Sequence, residues 1–146
     1  MKKGIFLILL SACITGVNAQ GSNIPPAVTA AFKAKYPDAT NVIWKNKITG
    51  MEVDFDLHGK QCEAKYSKKG EWRNTEVFGL EKEIPPAVKD GLNKSKYREW
   101  KIESVRLRSN SDGTEDYHII VAKNDIIKKD LIFNKKGQLL KNNITI

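Results

Sequence analysis

The chain has 146 residues, with 25 Lys and Arg against 17 Asp and Glu, a formal charge of +8 and two cysteines. A chain this long builds one core readily and two independent cores only marginally, and two cysteines are too few for a disulfide-stapled scaffold. The basic balance would suit nucleic acid, but the lysines are spread through turns and solvent faces, and the N-terminus directs the chain out of the cytoplasm.

Lys2 and Lys3 precede an apolar run from Ile5 to Leu10, and Val17-Asn18-Ala19 places small residues before Gln20. That pattern is a secretory signal over residues 1–19. Leu10-Ser11-Ala12-Cys13 also resembles the bacterial lipobox, whose cysteine is lipidated, so cleavage after Ala19 and a lipid anchor at Cys13 are both open. Either route makes the protein periplasmic or envelope-associated. No later stretch reaches the ~20 apolar residues of a membrane-spanning helix. Loss of Lys2 and Lys3 leaves 23 basic against 17 acidic residues, a net +6. Cleavage after Ala19 leaves Cys62 as the lone cysteine, expected to be an inert core residue.

A repeat organises the rest. Ile24-Pro25-Pro26-Ala27-Val28 returns as Ile84-Pro85-Pro86-Ala87-Val88, and Tyr66-Ser67-Lys68-Lys69-Gly70-Glu71 answers to Phe133-Asn134-Lys135-Lys136-Gly137-Gln138. The repeats are set at residues 24–79 and 84–146, joined by the short link Phe78–Glu83. Each opens with proline in the first helical turn, where a missing N–H costs nothing. Val28, Phe32 and Tyr36 then form a helical stripe that Pro37 ends. In the second copy Val88 and Leu92 keep the stripe, while Gly91 weakens the helix by about 1 kcal/mol relative to Ala.

After each helix the period becomes two. A leading strand near Asn41–Lys47 precedes Met51–Leu57, where Val53, Phe55 and Leu57 alternate with Glu52, Asp54 and Asp56 as in a strand buried on one face. His58-Gly59-Lys60 turns the chain into Gln61–Ser67, which buries Cys62, Ala64 and Tyr66, and Lys68-Lys69-Gly70 turns it again into Trp72–Val77. The second copy repeats this near Lys101–Arg108, Glu115–Ala122, Ile126–Phe133 and Gln138–Thr145. The expected fold class is α+β: two helix-plus-four-stranded antiparallel units sharing one curved sheet, with both helices on one face.

The repeated Ile-Pro-Pro-Ala-Val opening, Lys-Tyr-Pro-Asp-Ala-Thr-Asn-Val-Ile-Trp at 35–44, Glu-Val-Asp-Phe at 52–55 and Lys-Gly-Glu-Trp at 69–72 resemble exported PepSY-like proteins of the β-lactamase-inhibitor-protein-like group. The resemblance spans both copies and implies the same paired units. It also implies binding by an exposed sheet, since the group takes its name from a secreted protein that clasps an enzyme with its concave sheet. The copies diverge at Arg98-Glu99 against Pro37-Asp38, and at Gln138-Leu139 against Glu71-Trp72, which argues against two symmetric sites.

No catalytic constellation stands out. His58 falls in a turn, and the chain offers no nucleophile elbow, phosphate loop or paired-histidine helix, so an enzyme is not expected and no cofactor is implied. The uncovered sheet face is where a partner, most simply another exported protein, would bind. Its candidate residues are His118, Ile120, Lys128 and Ile132, the two isoleucines forming an apolar patch unless a register shift turns them inward. Trp44 and Trp72 are either interface anchors or core residues. The alternative functions are a small-ligand or divalent-ion module, with Glu52, Asp54 and Asp56 as weak ligands, or a structural envelope component.

Overall fold

The computed structural model describes residues 23–145. The export segment, including Cys13, lies outside them, as does residue 146. Helix α1 spans Pro26–Lys35 and opens on Pro25 and Pro26. It buries Val28 and Phe32 and closes where the Tyr36 N–H donates to the Phe32 carbonyl at 2.8 Å. Four strands follow, β1 (Thr40–Lys47), β2 (Gly50–Leu57), β3 (Lys60–Tyr66) and β4 (Trp72–Gly79). After a single 3-10 turn at Glu81–Glu83 come α2 (Pro86–Lys94), β5 (Lys101–Asn110), β6 (Glu115–Ala122), β7 (Lys128–Asn134) and β8 (Leu139–Thr145).

All eight strands form one antiparallel sheet in chain order, β1 to β8. The seam between the halves is the β4–β5 pairing, in which Val77 faces Leu107 and Glu76 faces Arg108. Directly opposed residues share a sheet face, so the core side chains of both halves point the same way and both helices cover that face. The first core joins Val28 and Phe32 to Met51, Val53, Phe55, Cys62, Ala64 and Tyr66. The second joins Ile84, Val88 and Leu92 to Tyr97, Val105, Ile119, Val121, Leu131 and Phe133. Each large buried side chain stabilises by about 1.5–3 kcal/mol relative to exposure.

The two repeated motifs meet in space. Gly137 (φ 77°) lies so close to α2 that an added Cβ would stand 1.9 Å from the Ala87 carbonyl oxygen, and Gly70 (φ 87°) meets Ala27 in the same way at 2.6 Å. The proline-opened helix start and the Lys-Lys-Gly turn are thus the two sides of one backbone contact, made once in each half. Gly91 has the same origin: a Cβ there would sit 1.9 Å from the Gly137 oxygen. Its cost in helix propensity is accepted because α2 packs directly on that turn.

The structure places two tryptophans that the sequence left open and moves the start of one strand. Trp44 pairs with Val53, and its ring meets Phe32 edge-on at 5.2 Å, so it belongs to the helix-covered side. Trp72 opposes Tyr66, donates its indole N–H to Thr75 Oγ1 at 2.8 Å and carries Lys35 Nζ over its ring at 3.8 Å, again on the covered side. Ile126 and Ile127 precede β7 and do not belong to it, because the Asn124 carboxamide oxygen accepts both their N–H groups and holds them in a turn. Ile126 is accordingly 87% exposed.

Candidate functional site

The sheet face opposite the helices carries the alternate residues of every strand. In the first half these include Lys45 on β1, Glu52 and Asp54 on β2, and Glu63 and Lys65 on β3. Cross-strand pairing sets Lys45 against Glu52 and Asp54 against Glu63. Lys45 Nζ lies 2.6 Å from Asp54 and 3.3 Å from Glu52, and Lys65 Nζ lies 3.0 Å from Glu63. Lys47 adds a longer contact to Glu52 at 3.5 Å. The Asp54 hydrogen bond, with Glu52 adding to it, pushes the Lys45 ammonium pKa up against the opposing effect of burial.

Carboxylate oxygens of Glu52, Asp54 and Glu63 come within 4.8 Å of one another. The group that could share an ion therefore recruits Glu63 from the neighbouring strand and leaves out Asp56, which accepts a hydrogen bond from Asn41 Nδ2 at 2.7 Å. The adjacent lysine ammonium groups already occupy the space and charge that a cation would need.

The centre of the face is organised differently. Glu76 on β4 is only 1% exposed, although no helix covers it. It accepts from Arg106 Nη1 at 2.8 Å and Arg108 Nε at 2.9 Å, and Arg108 Nη2 donates to the same oxygen. Arg106 Nη2 also lies 3.7 Å from Asp130 Oδ2, which is 3.1 Å from His118 Nδ1. A chain of five polar side chains, Arg108–Glu76–Arg106–Asp130–His118, thus crosses four strands and the seam between the halves. Within it Glu76 and His118 are almost fully buried.

Burial raises the Glu76 carboxyl pKa, but the hydrogen bond from Arg108 and the charges of both arginines outweigh it and hold the group below its ordinary range. Asp130 behaves alike: burial pushes up, and the His118 hydrogen bond with the nearby arginine charges brings the net shift down. Among the described residues, the buried Arg106 Nε, His118 Nε2 and Asp130 Oδ1 atoms have no hydrogen-bond partner.

Strand pairing makes the halves comparable position by position. Trp44 against Val53 matches Val105 against Ile119, so Lys45 and Lys47 correspond to Arg106 and Arg108, and Glu52 and Glu63 correspond to His118 and Asp130. The ladder is thus shared. The second half has exchanged lysine for arginine and glutamate for histidine, and its arginines reach back to Glu76 across the seam. The β8 counterpart of Glu76 is Asn143, so no such clamp exists at that edge.

Four of the candidates from the sequence lie on this face. His118 opposes Ile132 and Ile120 opposes Asp130, so the two isoleucines, both half-buried, are diagonal neighbours that flank the His118–Asp130 contact. Lys128 is paired with Glu103 at 2.7 Å. Trp44 and Trp72 are absent from the face. Sequence reasoning nominated none of Glu76, Arg106, Arg108 and Asp130. The available signal was the Arg-Leu-Arg alternation at 106–108.

Chemically, the arrangement presents fixed charges flanked by apolar side chains. Among the described residues no hydroxyl or thiol hydrogen-bonds His118 Nε2, whereas a Ser-His or Cys-His pair needs one there. Cys62 lies on the covered side, 3% exposed, where burial pushes its thiol pKa up. No helix among the described residues is long and apolar enough to cross a membrane.

A structure from Bacteroides ovatus, described as a DUF2874 family protein, superposes with a TM-score of 0.79 at 24% identity, covering 85% of this chain and 89% of that one. A BLIP-like protein from Bacteroides fragilis matches with a TM-score of 0.74 at 26% identity, covering 82% and 84%. One from Bacteroides eggerthii, described among "putative periplasmic proteins", gives 0.78 at 22% identity over 84% and 90%. These likenesses establish the fold. No curated protein matches the chain. The family model described as "Putative beta-lactamase-inhibitor-like, PepSY-like" matches residues 17–60 and 49–141, and the chain belongs to that family.

Proposed function

We propose that this protein is a non-enzymatic, exported binding module that holds another exported protein against its open sheet face, in the manner of an inhibitor. The observation that carries the reading is the uncovered face, whose centre is a preset network of Glu76, Arg106, Arg108, Asp130 and His118. Interfaces gain most from residues that are rigid before binding, and arginine is enriched among the side chains that dominate binding energy. Arg106 and Arg108 keep 20% and 27% of their side-chain surface exposed while Glu76 fixes their orientation. Ile120 and Ile132 supply apolar contact on either side, and Lys128 lies further along the same face.

Export is supported by the secretory pattern of residues 1–19, and the periplasmic description of one similar structure agrees with it. The N-terminus is either Gln20 or lipidated Cys13, which intact-mass measurement of the processed protein distinguishes. The binding reading is tested by immobilising the processed protein and the Ile120→Asp, Ile132→Asp variant in parallel, and exposing both to solubilised envelope. A retained protein, purified and titrated, is expected to bind the parent saturably and the variant at least tenfold more weakly. Equal binding to both would remove the open face from the account.

A further inference from the structure

The halves differ most in what fills the space beneath their helices. In the first half Phe32 meets Trp44 and Phe55 at centroid distances of 5.2 and 5.1 Å, and the helix lies on a solid aromatic layer. The corresponding residues of the second half are Leu92, Val105 and Val121, all smaller. Gly91 draws α2 onto the Gly137 turn on one flank. On the other flank an open groove of about 560 Å³ runs between α2, the 3-10 turn and the start of β5. That volume falls within the range of small-molecule sites, roughly 300–1,000 Å³.

The apolar lining comes from Leu92, Trp100 and Ile102. Trp100 takes the position that the half-buried Ala39 holds in the first half, and Tyr97, itself buried, fixes its ring edge-on at 5.1 Å. Lys89, Arg98 and Lys101 line the same groove against the single acid Glu81, so its formal charge is +2. Arg98 spends part of its charge on Glu99, at 3.2 Å. In the first half the counterparts of Lys89, Arg98 and Lys101 are Thr29, Pro37 and Thr40, none of them charged. Smaller core residues, a held indole and three cations therefore coincide in one half only.

We propose that this groove is a second binding site, separate from the open sheet face, and that it takes a small carboxylate carrying a flat apolar ring. The ring would lie on the indole and the Leu92 and Ile102 side chains, and the carboxylate would face the cations, with Arg98 able to engage it through two N–H groups. Aromatic walls with a few convergent charged groups are the usual make-up of such sites.

The test uses the processed protein and two probes, 1-naphthoate and its neutral analogue 1-naphthalenemethanol, followed by NMR of the three indole N–H resonances. Expected is a saturable shift at Trp100 with 1-naphthoate, leaving Trp44 and Trp72 in place, and at least tenfold weaker binding of the alcohol. Arg98→Glu with Lys101→Glu, both exposed positions, should weaken 1-naphthoate at least tenfold with the rest of the spectrum unchanged. Absence of a saturable Trp100 shift, equal binding of the two probes, or an unaffected variant would overturn the proposal.

Discussion

Replacing Glu76 with glutamine tests whether the charged chain across the seam holds the two halves together. The carboxylate is 1% exposed and accepts from two guanidinium groups. Glutamine keeps the shape and one acceptor but leaves Arg106 and Arg108 without their counter-charge. Breaking a fully buried ion pair costs about 3–5 kcal/mol. The arginine side chains here are 20% and 27% exposed, so water recovers part of that, and a loss of about 2–4 kcal/mol is expected. In urea, with a slope on the order of 1.5 kcal/mol per molar, the unfolding midpoint should fall by roughly 1.3–2.7 M. Glu52→Gln is the internal control, because its lysine partners are 38–52% exposed and the loss should stay under about 1 kcal/mol. Converting the clamp to Glu76→Leu, Arg106→Met and Arg108→Met together should cost less than Glu76→Leu alone, since neither arginine is then stranded and Asp130 keeps its contact with His118. A Glu76→Gln loss below about 0.5 kcal/mol, or one equal to that of Glu52→Gln, would refute the reasoning.

The same residues set an acid sensitivity. Glu76 and Asp130 have lowered pKa values in the fold, so their stabilisation is complete above the ordinary carboxyl range near pH 4 and drains away as pH falls through the lower folded values; urea unfolding from pH 7 to pH 3 should show a shallower decline in Glu76→Gln than in the parent. Gly91→Ala should lower the melting temperature and cost about 1–3 kcal/mol through the clash with Gly137, whereas helix propensity alone predicts a gain of about 1 kcal/mol, so calorimetry decides the sign. Cys62 should react with a thiol reagent only after unfolding in urea; full labelling of the native protein at the unfolded rate would contradict its place in the core.

Much of this architecture is legible in the residues because its governing rules are local. Val53, Phe55 and Leu57 alternate with three acids, and that alone assigns a strand with one buried face. The same alternation placed Ile120 and Ile132 on the open face in the correct register. What escapes the sequence depends on contacts between distant segments. Gly91 reads as a helix defect until Gly137 is seen beneath it. Glu76 belongs to the first repeat and its arginines to the second, so the clamp becomes visible only when β4 is paired with β5, a register that the repeat does not specify. Trp44 follows a register shift between Thr40 and Ile43, and Trp72 comes just after a turn with another shift, between Lys65 and Tyr66, directly opposite, so the phase of alternation is hard to carry through at either. Ile126 and Ile127 look like strand residues by composition, but the Asn124 side chain competes for their N–H groups and wins.

The central claim, that the open face binds a partner, is tested most directly by measuring the affinity of a captured exported protein for three forms of the processed chain: the parent, Ile120→Asp with Ile132→Asp, and Lys33→Glu on the exposed side of α1. The account predicts that the open-face variant binds at least tenfold more weakly and that Lys33→Glu binds as the parent does. Full affinity in the open-face variant, or loss confined to Lys33→Glu, would place the interface on the helix side and contradict the account.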